Sequence, residues 1–267
     1  MPPRKKTQQP EPRLFMSPAG RAARLDGQDV DRVTNILNAL PKQLTQWASD
    51  QAANYAVEHW DELTEETLTK RLDKIRFAHR DTLNRAQVRG TQIHHYGEQL
   101  VTGADVPVPD ELLGPAEAYA RFLDTWKIEP LAIETPVAHT DYRYAGRADL
   151  WAKIGARAGA TALIDLKTGS GVYESTVMQL AAYRHASIWQ PNGPESESPL
   201  PSVDLVYVAH IGPDDVRMLP VTAGPEEFRA FLYVQQTALW LKAHAFKGDE
   251  PLIGPAAHPD RPDWSEF

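Results

Sequence analysis

The chain has 267 residues, of which 42% are hydrophobic and 24% charged, as in globular proteins that bury a sizeable core. The formal net charge of −8 argues against a protein that coats nucleic acid nonspecifically, because such affinity depends on Lys and Arg side chains that neutralise phosphates. The chain has no cysteine, which excludes disulfides, thiolate zinc sites, cysteine-ligated iron–sulfur clusters and catalytic thiols. Any metal must therefore be held by oxygen and imidazole ligands.

The first half of the chain divides into two predicted segments. Residues 1–23 are rich in Pro, Gln and Arg and lack apolar periodicity, which predicts a mobile basic arm. Residues 24–128 mostly show helical spacing of apolar residues and predict a helical N-terminal region. Within this region Thr64 is the predicted N-cap of a helix that ends near Phe77, and a separate helix is predicted over residues 81–101.

The second half predicts a mixed α/β core over residues 129–247. Three short apolar segments separated by turn-forming residues predict an antiparallel meander of strands over residues 132–139, 145–154 and 161–165. The same patterns predict the elements that follow, namely a helix over 173–189, a strand over 203–211 with a hairpin partner over 216–221, and a helix over 226–246. Residues 248–267 form a Pro-rich acidic tail that we expect to be loosely held.

The sequence has no feature typical of a membrane or exported protein. No apolar run reaches the roughly 18 residues that a membrane-spanning helix needs. The N-terminus also lacks the apolar stretch of a signal peptide. We therefore expect no membrane association and a cytoplasmic location.

Asp165 and Lys167 are the first candidates for chemistry. They lie two positions apart at the end of an apolar strand, so both side chains project from the same face. A carboxylate can bind a hard cation, and a lysine can offset charge on a phosphate, although a surface ion pair has the same pattern. Asp149 precedes Asp165 by sixteen positions, which suits two neighbouring strands, and two adjacent carboxylates repel unless a proton or cation intervenes. The three residues therefore predict a metal site.

Four motifs in this order resemble the RecB-like branch of the PD-(D/E)XK nucleases, which includes phage-encoded exonucleases and CRISPR-associated RecB-like nucleases. They are Gly-Thr-Gln-Ile-His at 90–94, Gly-Arg-Ala-Asp at 146–149, Ile-Asp-Leu-Lys-Thr-Gly at 164–169 and Gln-Leu-Ala-Ala-Tyr at 179–183. The resemblance implies an α/β fold with a PD-(D/E)XK restriction-endonuclease-like core, in which helices flank a mixed central β-sheet. Several members of this branch have four cysteines that bind an iron–sulfur cluster. This chain has no cysteine, so it resembles the cluster-free members.

The resemblance also implies roles for individual residues. His94, Asp149 and Asp165 would bind Mg²⁺ or Mn²⁺, with the backbone carbonyl of Leu166 as a further ligand. Lys167 would position the attacking water.

Further residues are expected around this centre. Gln179 and Tyr183 would line the side of the site that faces DNA. Residues 70–89 contain seven basic residues against two acidic ones, and this stretch would guide the phosphate backbone toward the metal, with Arg85 and Arg89 closest to it. The ordinary interpretation of such a run is a solvated helix face. Glu134, on the strand before Asp149, is a lesser candidate for contact with the metal.

The implied function is hydrolysis of phosphodiester bonds in DNA, most simply by an exonuclease in DNA recombination, repair or phage DNA processing. For a phage-encoded protein the location would be the cytoplasm of the bacterial host. The acidic tail suggests docking to a replication or recombination protein. Two alternatives stay open, which are a catalytically idle DNA- or partner-binding module on the same fold and a structure-specific endonuclease. Strand preference, cleavage polarity, oligomeric state and activity on RNA are not determined by these motifs.

Overall fold

The computed structural model describes residues 12–18, 20–41, 45–103, 107–169 and 171–244. The helices in these ranges are α1 (Val33–Leu37), α2 (Thr45–Glu58), α3 (Trp60–Glu65), α4 (Leu68–Val101), α5 (Leu113–Trp126), α6 (Glu174–Arg184) and α7 (Pro225–Ala243). The strands are β1 (Leu14–Met16), β2 (Ala23–Leu25), β3 (Gln28–Asp29), β4 (Asp31–Arg32), β5 (Ile128–His139), β6 (Tyr144–Ile154), β7 (Ala160–Lys167), β8 (Ile188–Trp189), β9 (Ser198–Pro199), β10 (Leu205–Ile211) and β11 (Val216–Pro220).

The central sheet has eight strands and mixed directions. Its order is β11-β10-β7-β6-β5-β8-β9, and β4 lies parallel to β6 off this path. Strands β5, β6 and β7 pair antiparallel in sequence order, which confirms the predicted meander. Strand β10 then pairs parallel to β7, because α6 carries the chain across the sheet between them. The predicted α/β class, with a mixed sheet and flanking helices, is confirmed at this level.

Two apolar layers hold helices on the two faces of the sheet. Side chains alternate across a strand, so Leu163 and Ile164 of β7 enter different layers. The layer that contains Leu163 packs against α1, α6 and α7, with Trp151 and Phe231 fully buried in it. The layer that contains Ile164 packs against the C-terminal half of α4 and against α5. The candidate site lies where the C-terminal half of α4 approaches the point at which β6 and β7 stop pairing.

The N-terminal segment differs from the predicted mobile arm. Within residues 12–25, β1 and β2 pair antiparallel, and β3 joins them to make a small three-stranded sheet. Leu14 and Leu25 are fully buried against Ala138 and Ala145, so this segment is anchored on the central sheet. The prediction for 1–23 is therefore wrong from β1 onward, because two isolated leucines are too sparse a pattern to show periodicity. Residues 1–11 lie outside the described residues. The helical region likewise starts at Val33 rather than at residue 24.

Helices α3 and α4 correct two further predictions. Thr64 lies inside α3 instead of capping a helix, and the extended backbone of Thr67 separates α3 from α4. Helix α4 then runs for 34 residues through the predicted break near residues 77–81, where no Gly or Pro interrupts it. Arg71 ties the two helices together, since its guanidinium donates to the carbonyls of Leu63 and Thr64.

The C-terminal elements follow the prediction with one exception. The predicted helix over 173–189 ends at Arg184, because Ile188 and Trp189 form β8 and pair with β5. The hairpin of β10 and β11 and the last helix, α7, are confirmed. The acidic tail, 248–267, lies outside the described residues. In the described part of the chain, no helix combines the length and apolar character that crossing a membrane requires.

Candidate active site

Asp149 and Asp165 lie next to each other where β6 and β7 stop pairing. The last registered pair is Leu150 with Ile164, so the two aspartates are the next residues on their strands. Beyond this pair, the Leu166 N–H donates a 2.8 Å hydrogen bond to Oδ2 of the Asp149 carboxylate instead of to a backbone carbonyl of β6. The predicted pairing of the two carboxylates is confirmed. The Leu166 carbonyl as a metal ligand remains a prediction.

Helix α4 brings His94 to this carboxylate pair. Its Nδ1 lies 3.9 Å from Oδ2 of Asp149. Gly90 on α4 permits the approach, since a Cβ there would lie 3.0 Å from the Thr168 hydroxyl oxygen, which is closer than ordinary contact. A Cβ on Gly97 would lie 3.4 Å from the side chain of Leu166, within ordinary contact. The backbone of α4 can therefore lie close against the end of β7.

Glu134 completes a cluster that could hold a metal ion. One ligand atom from each of His94, Glu134 and Asp149 lies within 4.8 Å of the others. The cluster forms because the pairs Ile133–Leu150 and Thr135–Ala148 leave Glu134 opposite Asp149 on neighbouring strands. The structure thus groups Glu134, the lesser candidate, with His94 and Asp149, while the predicted third ligand, Asp165, lies beside this cluster.

The backbone of Glu134 is strained in a way that the sequence does not indicate. Its φ is +47°, a left-handed conformation that costs a non-glycine residue roughly 1–3 kcal/mol. Burial raises the pKa of Glu134 to about 8, and the nearby carboxylates of Asp149 and Glu98 add to the rise. A residue that combines backbone strain with a strongly raised pKa is typical of a functional position.

Asp165 is held by two polar partners. It is 1% exposed, its Oδ2 lies 2.6 Å from Nζ of Lys167, and its Oδ1 accepts a 3.1 Å hydrogen bond from the Gln179 amide. Burial raises the pKa of Asp165 to about 6, against the opposing effect of Lys167. Burial alone would lower the pKa of Lys167, but Asp165 and Asp149 outweigh it and raise this pKa. Lys167 is therefore an ammonium group at neutral pH.

Tyr183 does not face the cleft, which corrects the predicted DNA-facing role. It is 2% exposed and lies in the layer under α6, with its hydroxyl 3.3 Å from the Gln179 amide nitrogen. Its ring packs directly on Gly146, where a Cβ would lie 2.3 Å from a ring carbon. Gln179 is also turned inward, because its amide donates to both Asp165 and Tyr183. Gln179 therefore holds Asp165 directly, and Tyr183 contacts Gln179.

An open cleft borders the cluster, and two glutamates are among the residues that line it. It is lined by Gly90, Thr91, His94, His95, Glu98, Glu134 and Thr168. Glu98 was missed in the sequence, although its position four residues after His94 places it on the same face of α4. Burial raises the pKa of Glu98, and the Asp149 carboxylate contributes to the rise.

Arg89 points away from this cleft, which corrects its predicted role. It precedes His94 by five residues, a rotation of about 140° around an α-helix. It shares a side of α4 with Thr82, which contacts Gln51 of α2. Arg85 belongs to α4, but its side chain lies outside the described residues.

Comparison with known proteins leaves the site to be interpreted from its own geometry. No protein-family profile matches the chain, and no curated protein matches it. Among solved structures, it is similar to a protein named SSO0001, with a TM-score of 0.30 and 13% sequence identity over 78% of this chain and 84% of that one. A TM-score this low does not establish a shared fold.

Proposed function

We propose that the protein is a metal-dependent DNA nuclease with a PD-(D/E)XK core of the RecB-like type. One observation carries the proposal, which is that His94, Glu134 and Asp149 present ligand atoms within 4.8 Å of one another beside the buried Asp165–Lys167 pair. The four motifs that resemble this branch supply the other residues of the site. A structural ion pair accounts for Asp165 and Lys167 alone, but it gives no reason for the other three side chains to meet there.

The residues fit a hard divalent cation. Carboxylates favour Mg²⁺ and Mn²⁺, and the neutral imidazole of His94 is a common metal ligand. Burial, with a smaller effect of the Asp149 carboxylate, raises the pKa values of Glu134 and Asp165, and a divalent cation would favour the charged form of both. His94, Glu134 and Asp149 would hold such an ion, with Asp165 as a further ligand on the same side. When bound, the ion would polarise the phosphodiester and lower the pKa of a water molecule.

The protein side chains would orient the reactants around this ion. Lys167, as an ammonium group, can donate hydrogen bonds to the attacking water and to a phosphate oxygen on which charge develops. Asp165 holds the ammonium in place, and Gln179 holds Asp165. Attack by water would form a new bond from its oxygen to phosphorus and break the bond to the leaving oxygen, while solvent takes the proton of the attacking water and supplies one to the leaving oxygen. Because Lys167 already carries its proton, it positions and stabilises rather than removing a proton.

The test is cleavage by the purified chain of end-labelled linear and circular DNA, single- and double-stranded, with Mg²⁺, Mn²⁺ or EDTA. We expect cleavage with either metal and none in EDTA. Digestion of linear DNA alone would identify an exonuclease, and cleavage of circles an endonuclease. Binding without cleavage under every metal condition would indicate the idle DNA-binding module and reject the proposal.

Matched variants separate the site from general effects of charge. Lys167→Met and Asp149→Asn should each lower cleavage by about a thousandfold, as expected for groups that act on the transition state. Lys153→Met on β6 and Asp124→Asn on α5 change exposed residues of the same types outside the site and should leave cleavage unchanged. Equal losses in site and control variants would contradict the assignment.

A further inference from the structure

The side of helix α4 that carries His94 also carries two arginines nearer to the N-terminus of the helix. Arg76 precedes His94 by eighteen residues, which is about five full turns, so the two side chains lie on the same side of α4. Arg80 precedes His94 by fourteen residues and lies within about 40° of that side. Both arginines are exposed. Two positive charges therefore lie on the His94 side of α4, nearer to the N-terminus of the helix than the metal-binding cluster.

Three other cations of the basic stretch contact the end of α3. Lys74 and Lys70 lie 2.7 Å and 3.7 Å from the carboxylate of Glu66, and Arg71 donates to the carbonyl oxygens at the end of α3. These three cations hold the junction between α3 and α4. Arg89 lies on the other side of the helix.

Helix α2 packs on the side of α4 opposite Arg80. The contact between the two helices includes the hydrogen bond from Thr82 to Gln51 and the buried Ala78. Thr82 and Ala78 are roughly opposite to Arg80 around the helix. Arg80 is also ordered by stacking, because its guanidinium carbon lies 4.2 Å from the centre of the Phe77 ring. The arginine side of α4 thus presents one guanidinium that stacks on an aromatic ring.

We propose that this side of α4, defined by Arg76 and Arg80, binds the phosphate backbone of double-stranded DNA whose end or scissile bond lies in the cleft. The inference rests on the proposed nuclease function and names the substrate form. Charge complementarity identifies a polyanion, and guanidinium groups pair well with phosphates.

The geometry favours a duplex as the occupant. At a rise of about 1.5 Å per residue, Arg80 and Arg76 lie about 21 and 27 Å along α4 from His94. Along a duplex at about 3.4 Å per base pair, these distances correspond to about six and eight base pairs. DNA duplexes are stiff over about 150 base pairs, so a duplex seated in the cleft would keep its phosphates beside a straight helix. A single strand has no such constraint.

The test is binding of fluorescein-labelled hairpin duplexes in EDTA, measured by fluorescence anisotropy across a range of salt concentrations. Since each phosphate contact contributes about 0.9 to the slope of log K against log salt, the Arg76→Gln/Arg80→Gln double variant should lower the slope by about 1.8 on a stem of about 16 base pairs. A stem of about four base pairs does not reach the arginines and should show no change. Thermal unfolding by circular dichroism checks that the variants remain folded.

Arg89→Gln is the matched control, because it removes an exposed arginine from the other side of the same helix. Its slope should equal that of the unmodified chain. The proposal would be overturned if the double variant kept the slope of the unmodified chain, or if Arg89→Gln lowered the slope equally. It would also be overturned if the double variant lowered the slope equally on a single strand of the same length, or if the long stem did not bind. Since no cleavage occurs in EDTA, loss of this surface is distinguishable from failure of the nuclease assignment. If the salt slopes are as expected but the chain cleaves no DNA in Mg²⁺ or Mn²⁺, only the nuclease assignment is rejected.

Discussion

Substitution of Gly146 tests the support behind the candidate site. Gly146 does not have a positive φ, so its backbone would accept alanine without strain. A Cβ there would nevertheless lie 2.3 Å from a carbon of the Tyr183 ring, more than 1 Å inside ordinary contact at about 3.5 Å. The ring cannot simply turn away, because Tyr183 is 2% exposed. Gly146→Ala must therefore displace the ring or the strand.

Two opposing effects determine how much Gly146→Ala changes the free energy of unfolding. Overpacking of a buried site costs roughly 1–3 kcal/mol, while replacing a strand glycine by alanine gains roughly 0.5–1 kcal/mol. The steric cost should win, and we expect Gly146→Ala to lower the free energy of unfolding by about 1–2 kcal/mol. The displaced ring should also disturb Gln179, whose amide donates to both Tyr183 and Asp165, so cleavage should fall as well.

A double-mutant cycle measured by urea unfolding provides the assay. Tyr183→Ala removes the ring and opens a cavity, at a cost of about 3–5 kcal/mol by analogy with other large aromatic side chains. In that background Gly146→Ala should cost nothing or stabilise slightly, which gives a coupling energy of about 1–3 kcal/mol. A Gly146→Ala variant as stable as the unmodified chain, or equal costs in both backgrounds, would refute the steric reasoning.

Three other predictions concern polar support and pH. Gln179→Leu removes a donor to the Asp165 carboxylate, so the pKa of Asp165 should rise above about 6 and the acid limb of the pH–cleavage profile should move to higher pH, whereas Gln236→Leu on the surface of α7 should not move it. Because burial raises the folded-state pKa of Glu134 from 4.5 to about 8, its contribution to stability in EDTA is present below pH 4.5 and lost as pH rises toward 8; Glu134→Gln should remove that loss in urea unfolding, and an unchanged pH dependence would contradict the raised pKa. Burial lowers the pKa of His139, so stability should be lost as pH falls below about 6.5, and His139→Phe should flatten this acid limb; a limb of unchanged steepness would show that other groups cause it.

The meander and its carboxylate pair could be predicted from the sequence because their signals are local. Apolar strands with turn-forming residues between them determine the pairing of β6 with β7, and sixteen residues from Asp149 to Asp165 suit such a hairpin. Helix α4 was predicted only in part, since the sequence suggested a break that tertiary contacts do not require. Arg89 and His94 both fall in the helix predicted over residues 81–101, so their separation already placed them on different sides of it. The positions of Arg76 and Arg80 relative to His94 depended instead on α4 being one continuous helix.

The sequence by itself determined which strands carry the acidic residues and that Asp165 and Lys167 share a face, because side chains alternate along a strand. Only the tertiary structure decided which carboxylate joins His94 and Asp149. Glu134 lies opposite Asp149 on the neighbouring strand, in a left-handed backbone conformation that no residue pattern marks. The tertiary structure also turned Tyr183 inward against Gly146, since burial of the ring depends on packing between α6 and β6, elements that are distant in sequence.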